Sequence, residues 1–346
     1  VQFDVPLGPG VMLGLLGTLL RTLPTAMVMD GIIYKMILRK WGTGGANQMS
    51  SEWGDSPVKN WKGSNVDWNW SKSKATNPDR IISYEKTKYH CYSCPLGCGG
   101  ICSMPGKGKG ETHKPEYESV LALGGLCMNE DVDSLFDLNE LLNRAGMDTI
   151  SAGAAVAFAM ECFENGTLSL KDTGGIDLSW GNTSCVKTLI EMMIKREGIG
   201  DILADGTKVA SKKIGKGAEK YTVHAGGQEP AMHDGRMDPG FALAYSVEPT
   251  PGRHTIGSYL YYEMFQLWKK VPGIPKKIPF MIYHKNSRYK ASLRQAEESA
   301  ACSKFTNIIN GVGLCIFGAF LGIKRTPTFD WINAVTGWDK TPEQYM

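Results

Sequence analysis

Strand-like alternation of apolar and polar residues is scarce in this chain, which argues against a sandwich or barrel and leaves a mainly α fold. Long hydrophobic runs are lacking too. A bilayer-spanning helix needs about 20 apolar residues. The apolar stretch 11–20 is followed by Arg21, Pro24 and Asp30, and the stretch 308–323 is broken by four glycines. The first reads as a buried or amphipathic helix, the second as deeply buried backbone near a ligand, and neither as a transmembrane segment. Charge of one sign is nearly absent: 38 Lys and Arg against 35 Asp and Glu leave +3, so nothing electrostatic points to nucleic acid as the main partner. There is no internal repeat. Basic, apolar and small-residue segments are not laid out in the order of a secretory signal. A cytoplasmic protein is expected.

What the chain does have is glycine and cysteine. Its 41 glycines suggest tight backbone turns around something bulky. Its nine cysteines are an odd number without a regular framework, which points to a reducing compartment where thiols bind metal or stay buried. Three of them, Cys91, Cys94 and Cys98, fall within eight residues in Tyr-His-Cys-Tyr-Ser-Cys-Pro-Leu-Gly-Cys-Gly-Gly. Proline and glycine keep this loop off regular helix and let backbone amides approach the sulfurs. That suits an iron–sulfur cluster, whose thiolate ligands need close spacing and whose sulfides accept amide hydrogen bonds. Three ligands are not four, so a further one must come from elsewhere. A zinc knuckle uses the same Cys-x-x-Cys unit, and a structural or redox thiol pair is the remaining alternative.

With 346 residues there is room for two or three domains. Periodicity predicts helices over 27–40, 117–126, 131–144, 152–165, 186–197 and 202–214, with Asp131 as an N-cap and Gly166 as a stop. Residues 53–73 read as a loop whose Trp53, Trp61, Trp68 and Trp70 anchor it to the core. Lys208, Lys212, Lys213, Lys216 and Lys220 read as a solvated helix face, or alternatively as a docking patch for an acidic electron carrier.

Two short segments resemble each other: Asn143-Arg-Ala-Gly146-Met147-Asp148 and Asn310-Gly-Val-Gly313-Leu314-Cys315. Glycine and short polar side chains at such turns can present amides and acceptors to a flat polar heterocycle. Each alone is as readily an ordinary loop or cap.

Together these residues resemble the tungsten-containing aldehyde:ferredoxin oxidoreductase family. The Cys-x-x-Cys-x-x-x-Cys segment is similar to that family's three cluster ligands. The paired segments are similar to its two pterin signatures, Asp-x-x-Gly-Leu-Asp and Asp-x-x-Gly-Leu-Cys. Further likeness runs through Trp41-Gly-Thr43, Pro57-Val-Lys-Asn60-Trp61, Pro115-Glu-Tyr-Glu118, Gln228-Glu-Pro-Ala-Met-His-Asp234, Ala242-Leu-Ala-Tyr245, Gly252-Arg-His254 and Val335-Thr-Gly337-Trp338-Asp339. It covers nearly the whole chain from about Trp41 onward.

The resemblance implies two helical domains, 1–222 and 223–346, without the family's N-terminal β domain and its usual C-terminal tail. It implies a tungsten bis-pterin cofactor touched by Asn143, Gly146, Met147, Asp148, Asn310, Gly313 and Leu314. It implies a 4Fe-4S cluster on Cys91, Cys94, Cys98 and Cys315, and Mg2+ at the pterin phosphates. Leu314 and Cys315, adjacent in the chain, would then serve two cofactors and offer electrons a route outward. Glu118 and His254 match the family's acid/base pair, and aldehydes, ferredoxin and an oligomeric assembly are the implied substrate and partners. Such a carboxylate can activate water while an imidazole hydrogen-bonds the carbonyl oxygen. Apart from the family, Glu118 could be a first-turn acid on the helix dipole and His254 a surface turn residue.

Two departures stand out. Both signatures open with asparagine rather than aspartate, exchanging a negative charge for an amide. Extra residues lie around 259–280. The alternatives are a tungsten subunit of a reductive enzyme, such as an aryl-CoA reductase, and a non-catalytic iron–sulfur electron-transfer subunit.

Overall fold

The computed structural model describes residues 31–105, 110–276 and 289–346. The helix expected over 11–20, the first residues of the one expected over 27–40, and residues 277–280 of the expected insertion lie outside the described residues. The fold is mainly α, as expected. Among the described residues, no helix is long and apolar enough to cross a membrane.

Helix α1 (Gly31–Trp41) runs through a 3-10 turn into α2 (Asn47–Trp53). Two short helices follow, α3 (Trp70–Ser73) and α4 (Pro78–Ile82), capped by the side chains of Asn69 and Asn77. A small antiparallel sheet comes next, β1 (Glu85–Tyr89), β2 (Gly99–Ser103) and β3 (Glu111–His113), in the order β1-β2-β3. Tyr89 pairs with Gly99 and closes the hairpin whose loop is the cysteine segment. The alternation of β1 is too short and too exposed to stand out in the sequence.

The first helical layer comprises α5 (Tyr117–Leu123), α6 (Val132–Ala145), α7 (Thr149–Glu164), α8 (Thr183–Lys195), α9 (Ile199–Leu203) and α10 (Thr207–Ile214). Helix α7 is its axis, buried from Ala152 through Cys162. Its run of alanines lets neighbours approach closely. A Cβ on Gly153 would lie 2.6 Å from the Ala122 carbonyl oxygen, so only glycine permits this contact between α5 and α7. Fully buried Phe136 and Phe158 fill the space around it. Helix α7 starts earlier than expected because Asp148 accepts the Ser151 N–H (2.7 Å) and caps it. The helix expected over 202–214 is two helices, α9 and α10, because Gly206 turns the chain at φ 83°.

The second layer holds α11 (Pro239–Val247), α12 (Tyr259–Phe265), α13 (Leu293–Gly311), α14 (Ile316–Ala319), α15 (Thr328–Thr336) and α16 (Pro342–Tyr345). Its core is aromatic: Phe265 packs edge-on to Phe305 (5.0 Å between centroids) and against Phe320 (5.2 Å). Trp61 packs against both layers. A third cluster of Leu38, Leu96 and Leu321 pins the cysteine loop to α1 and to the chain after α14.

Two expectations are corrected. Trp68 is a buried anchor, but Trp70 is exposed on the first turn of α3. Residues 310–313 and Cys315 are exposed rather than deeply buried, because they form the outward-facing end of α13 and its terminal turn. Continuous burial resumes at Ala319. The lysine run is exposed, with Lys213 on Asp205 (2.5 Å) and Lys216 on Asp172 (3.3 Å).

Candidate functional site

The cysteine loop is held by local bonds. Cys94 N–H donates to the Cys91 carbonyl (3.0 Å), and Leu96 N–H donates to Cys94 Sγ (3.4 Å). Cys94 and Cys98 pack beside Leu38 and Leu321. Cys315, 217 positions after Cys98, arrives at the start of α14. The Cys98 thiol is pushed up to about 11, first by burial, then by the negative charges of Glu116, Cys315, Cys94 and Cys91. Cys98 therefore shares one electrostatic neighbourhood with the other three thiols.

Four thiols suit either a tetrahedral zinc or a thiolate-bound iron–sulfur cluster, and none of the nine cysteines forms a disulfide. The remaining five, Cys102, Cys127, Cys162, Cys185 and Cys302, are all buried.

Beside the loop is a cleft of about 440 Å³ lined by Tyr89, His113, Lys114, Glu116, Asn143, Met147 and Asp148, among others. Lys114 is buried and paired with Glu85 (2.7 Å), and Glu116 accepts the Thr43 hydroxyl. The first Asn-x-x-Gly segment is the turn between α6 and α7: Gly146 terminates α6 at φ 67° and Asp148 caps α7. The second segment ends α13, with Gly313 at φ 74°. A Cβ on Gly146 or Gly313 would meet nothing within 4 Å, so both turns border open space that a flat heterocycle could occupy.

The other side of α5 is buried. Glu118 Oε2 accepts the Met232 N–H (2.7 Å). Its Oε1 is buried without a hydrogen-bond partner. It lies 3.5 Å from His254 Nε2 and 3.7 Å from His233 Nε2. Glu118, His233 and His254 form a compact trio with ligand atoms within 4.8 Å. Tyr117 adjoins both imidazoles and Phe317, two residues beyond Cys315. His233 Nδ1 sits 3.0 Å from Asp55 and its ring stacks on Phe241 (4.5 Å). Burial opposes the charge on His233, but Asp55 and then Glu118 raise it to about 9. His254 is lowered, chiefly by burial, so its imidazole is neutral at neutral pH. Glu118 and His254, 136 positions apart in the chain, are thus side by side.

A profile described as aldehyde ferredoxin oxidoreductase, domains 2 and 3, matches residues 26–346. The chain belongs to the aldehyde ferredoxin oxidoreductase family. It is 31% identical over 310 residues to the tungsten-containing aldehyde ferredoxin oxidoreductase of Pyrococcus furiosus, covering 89% of this chain and 47% of that protein. It is 30% identical over 317 residues to an aliphatic sulfonate oxidoreductase, WOR-like subunit, of the same organism, covering 89% and 44%. The chain therefore spans about half the length of these relatives. In structure it resembles the active site complex BamBC of benzoyl coenzyme A reductase in complex with 1,5-dienoyl-CoA, with TM-score 0.63 and 20% identity over 86% of this chain and 48% of that one. This last likeness concerns the fold.

Sequence reasoning had no role for His233, Asp55 or Tyr117. His233 lay inside a segment of family likeness, and Tyr117 adjoins Glu118 in another. Asp55 carried no signal, since only tertiary packing brings the α2 exit to residue 233.

Proposed function

We propose that this chain supplies the two helical domains, 1–222 and 223–346, of a tungstopterin oxidoreductase that oxidises aldehydes to carboxylic acids and passes electrons through a four-iron cluster to ferredoxin. The observation that carries this reading is the Glu118–His254 pair, 3.5 Å apart in a mostly buried pocket whose Tyr117 touches the segment following Cys315. Cys91, Cys94, Cys98 and Cys315 would hold the cluster. Asn143, Gly146, Met147 and Asp148 on one turn, with Asn310, Gly313 and Leu314 on the other, would contact the pterins, whose phosphates would take Mg2+. When bound, these groups supply the two-electron oxidation and its one-electron outlet.

The chain's own residues handle protons and charge. Converting an aldehyde and water to a carboxylic acid releases two electrons and two protons. Glu118 Oε1, lacking a hydrogen-bond donor, accepts a proton from the adding water. His254, neutral through burial, donates a hydrogen bond to the carbonyl oxygen as negative charge builds there. The burial that makes these groups effective also excludes bulk water. The remainder of the enzyme, a cytoplasmic setting and an oligomeric assembly complete the proposal.

The test uses the full-length protein purified without air. Tungsten and iron near one to four, with reduction of a viologen dye by small aldehydes, is the expected result. Iron without tungsten points to an electron-transfer subunit. Tungsten without aldehyde turnover points to a reductive enzyme.

A further inference from the structure

His233 stands where two carboxylates from distant parts of the chain converge. Asp55, just past α2, places both carboxylate oxygens within 3.1 Å of Nδ1. On the other side, Nε2 faces Glu118 Oε1 at 3.7 Å and the Tyr117 hydroxyl at 3.3 Å. A neutral imidazole has one N–H, whereas the imidazolium has two and can address both sides at once. Phe241 stacked on the ring fixes its plane, and the Tyr245 hydroxyl donates to the His233 carbonyl (3.1 Å), fixing its backbone. The other charged groups nearby are differently engaged. Asp234 is held by Arg236 (2.6 Å), and Asp238 accepts from Ser258 (2.7 Å). The His254 ring lies 5.4 Å away and is itself lowered by burial, with His233 and Arg253 adding to that effect.

Glu118 shows the consequence. Its Oε2 is tied to the Met232 amide, in the residue preceding His233, so backbone and side chain of one segment grip the carboxylate together. Oε1 is left buried between two imidazole nitrogens. An ionised carboxylate there needs a compensating charge. His254 cannot provide it and also serve as a neutral donor.

We propose that His233, anchored by Asp55, is a positioning residue: a fixed cation between Asp55 and Glu118 that balances charge beside Glu118 and keeps its free oxygen turned toward His254. The inference rests on the functional reading above, since it names what holds that reading's base in its working form. The raised proton affinity of His233, to about 9 against an ordinary 6.5, agrees with the geometry.

The experiment compares the full-length, metal-loaded parent with Asp55→Asn, His233→Gln and Asp55→Glu. Two quantities are read: the pH profile of kcat/KM for aldehyde oxidation, and the titration of His233 by nitrogen NMR of histidine-labelled protein in the oxidised state. A positive charge within 4–6 Å moves a carboxylate by about one unit or more. In Asp55→Asn and His233→Gln the acid limb should therefore move up by about one pH unit, a roughly tenfold loss of rate at acid pH, with a smaller loss on the plateau. Asp55→Glu, which keeps the carboxylate, should restore the limb. In the parent, His233 should stay protonated until pH about 9, and in Asp55→Asn it should titrate nearer 6.5. A merely structural role would scale the rate at every pH and leave the limb in place. Profiles that superimpose on an active parent, or a parent His233 titrating at 6.5, would overturn the proposal. A tungsten-loaded parent without aldehyde turnover overturns the functional reading instead, and the nitrogen titration then decides the Asp55–His233 pair on its own.

Discussion

The cysteine hairpin and the Glu118 pocket lie on either side of the start of α5 and follow opposite logic. Glu116 precedes α5, lines the cleft beside Thr43 and adds negative charge beside Cys98; Glu118, two residues on, turns inward to Met232 and the two imidazoles. The hairpin loop keeps Cys91, Cys94 and Cys98 within eight residues and holds them by local backbone bonds, at least partly open to solvent. The pocket gathers Asp55, Tyr117, Glu118, His233 and His254 from four separated segments and is largely closed. One site can take up a cofactor that adds its own charge. The other must balance its charges with protein groups, so it needs a cation of its own.

Cys315 offers the sharpest way to break that contrast, because it is the one thiol of the four that comes from far along the chain. In the full-length enzyme Cys315→Ala should abolish the four-iron signal seen by low-temperature electron paramagnetic resonance after reduction. An unchanged signal would remove Cys315 from the ligand set and return the hairpin to a wholly local site. The next effect in size belongs to the pocket. Glu118→Gln should lower turnover by roughly 10²–10⁴-fold, the usual contribution of a positioned acid or base, with tungsten and iron at parent levels. His254→Asn should do the same, and the double variant should lose less than the product of the two. Full activity in Glu118→Gln would move the base to Glu116, whose carboxylate faces the cleft.

The same contrast decides what could be read from the sequence. Cys91, Cys94 and Cys98 announce themselves because their spacing is the site. Helix α6 was legible because its apolar periodicity and its cap, Asp131, are local, and α7 because an alanine-rich apolar run ends at the turn at Gly166. The division of 202–214 was not, since Gly206 only weakens a helix and tertiary packing chooses whether to end it. Glu118 and His254 were found through family likeness alone. Nothing in the sequence around Asp55 says that it will meet His233, and the imidazole's ionisation is a property of that meeting.

That ionisation also leaves a mark on stability. Folding raises His233 from 6.5 to about 9, so the stabilisation is complete below pH 6.5 and is lost as pH rises through 9. The shift corresponds to a contribution on the order of 3 kcal/mol, shared between Asp55 and Glu118. Asp55→Asn should therefore lower the Tm of the full-length enzyme most near pH 6, and the gap between variant and parent should narrow toward pH 10. A gap that stays constant with pH would mean that Asp55 acts only as a neutral hydrogen-bond acceptor.

The smallest expected effect lies at Asp148, where a motif residue and a structural residue are the same side chain. Its Oδ2 caps α7 on the Ser151 N–H at 2.7 Å, which leaves Oδ1 for the cleft that Asp148 lines. Replacing the cap with Asp148→Ala should cost about 1 kcal/mol. Asn is an equally good cap and forfeits only the favourable charge at the helix N-terminus, worth about 0.3–1 kcal/mol. In Asp148→Asn the amide oxygen keeps the cap and the amide nitrogen faces the cleft, turning an acceptor into a donor. Urea midpoints for the full-length protein should then separate Ala from Asn, while pterin content, measured after oxidation by fluorescence, should fall in both. Full pterin in Asp148→Asn would make Asp148 a helix cap whose place in the signature is incidental, and the first turn would then hold the heterocycle through Asn143 and backbone amides.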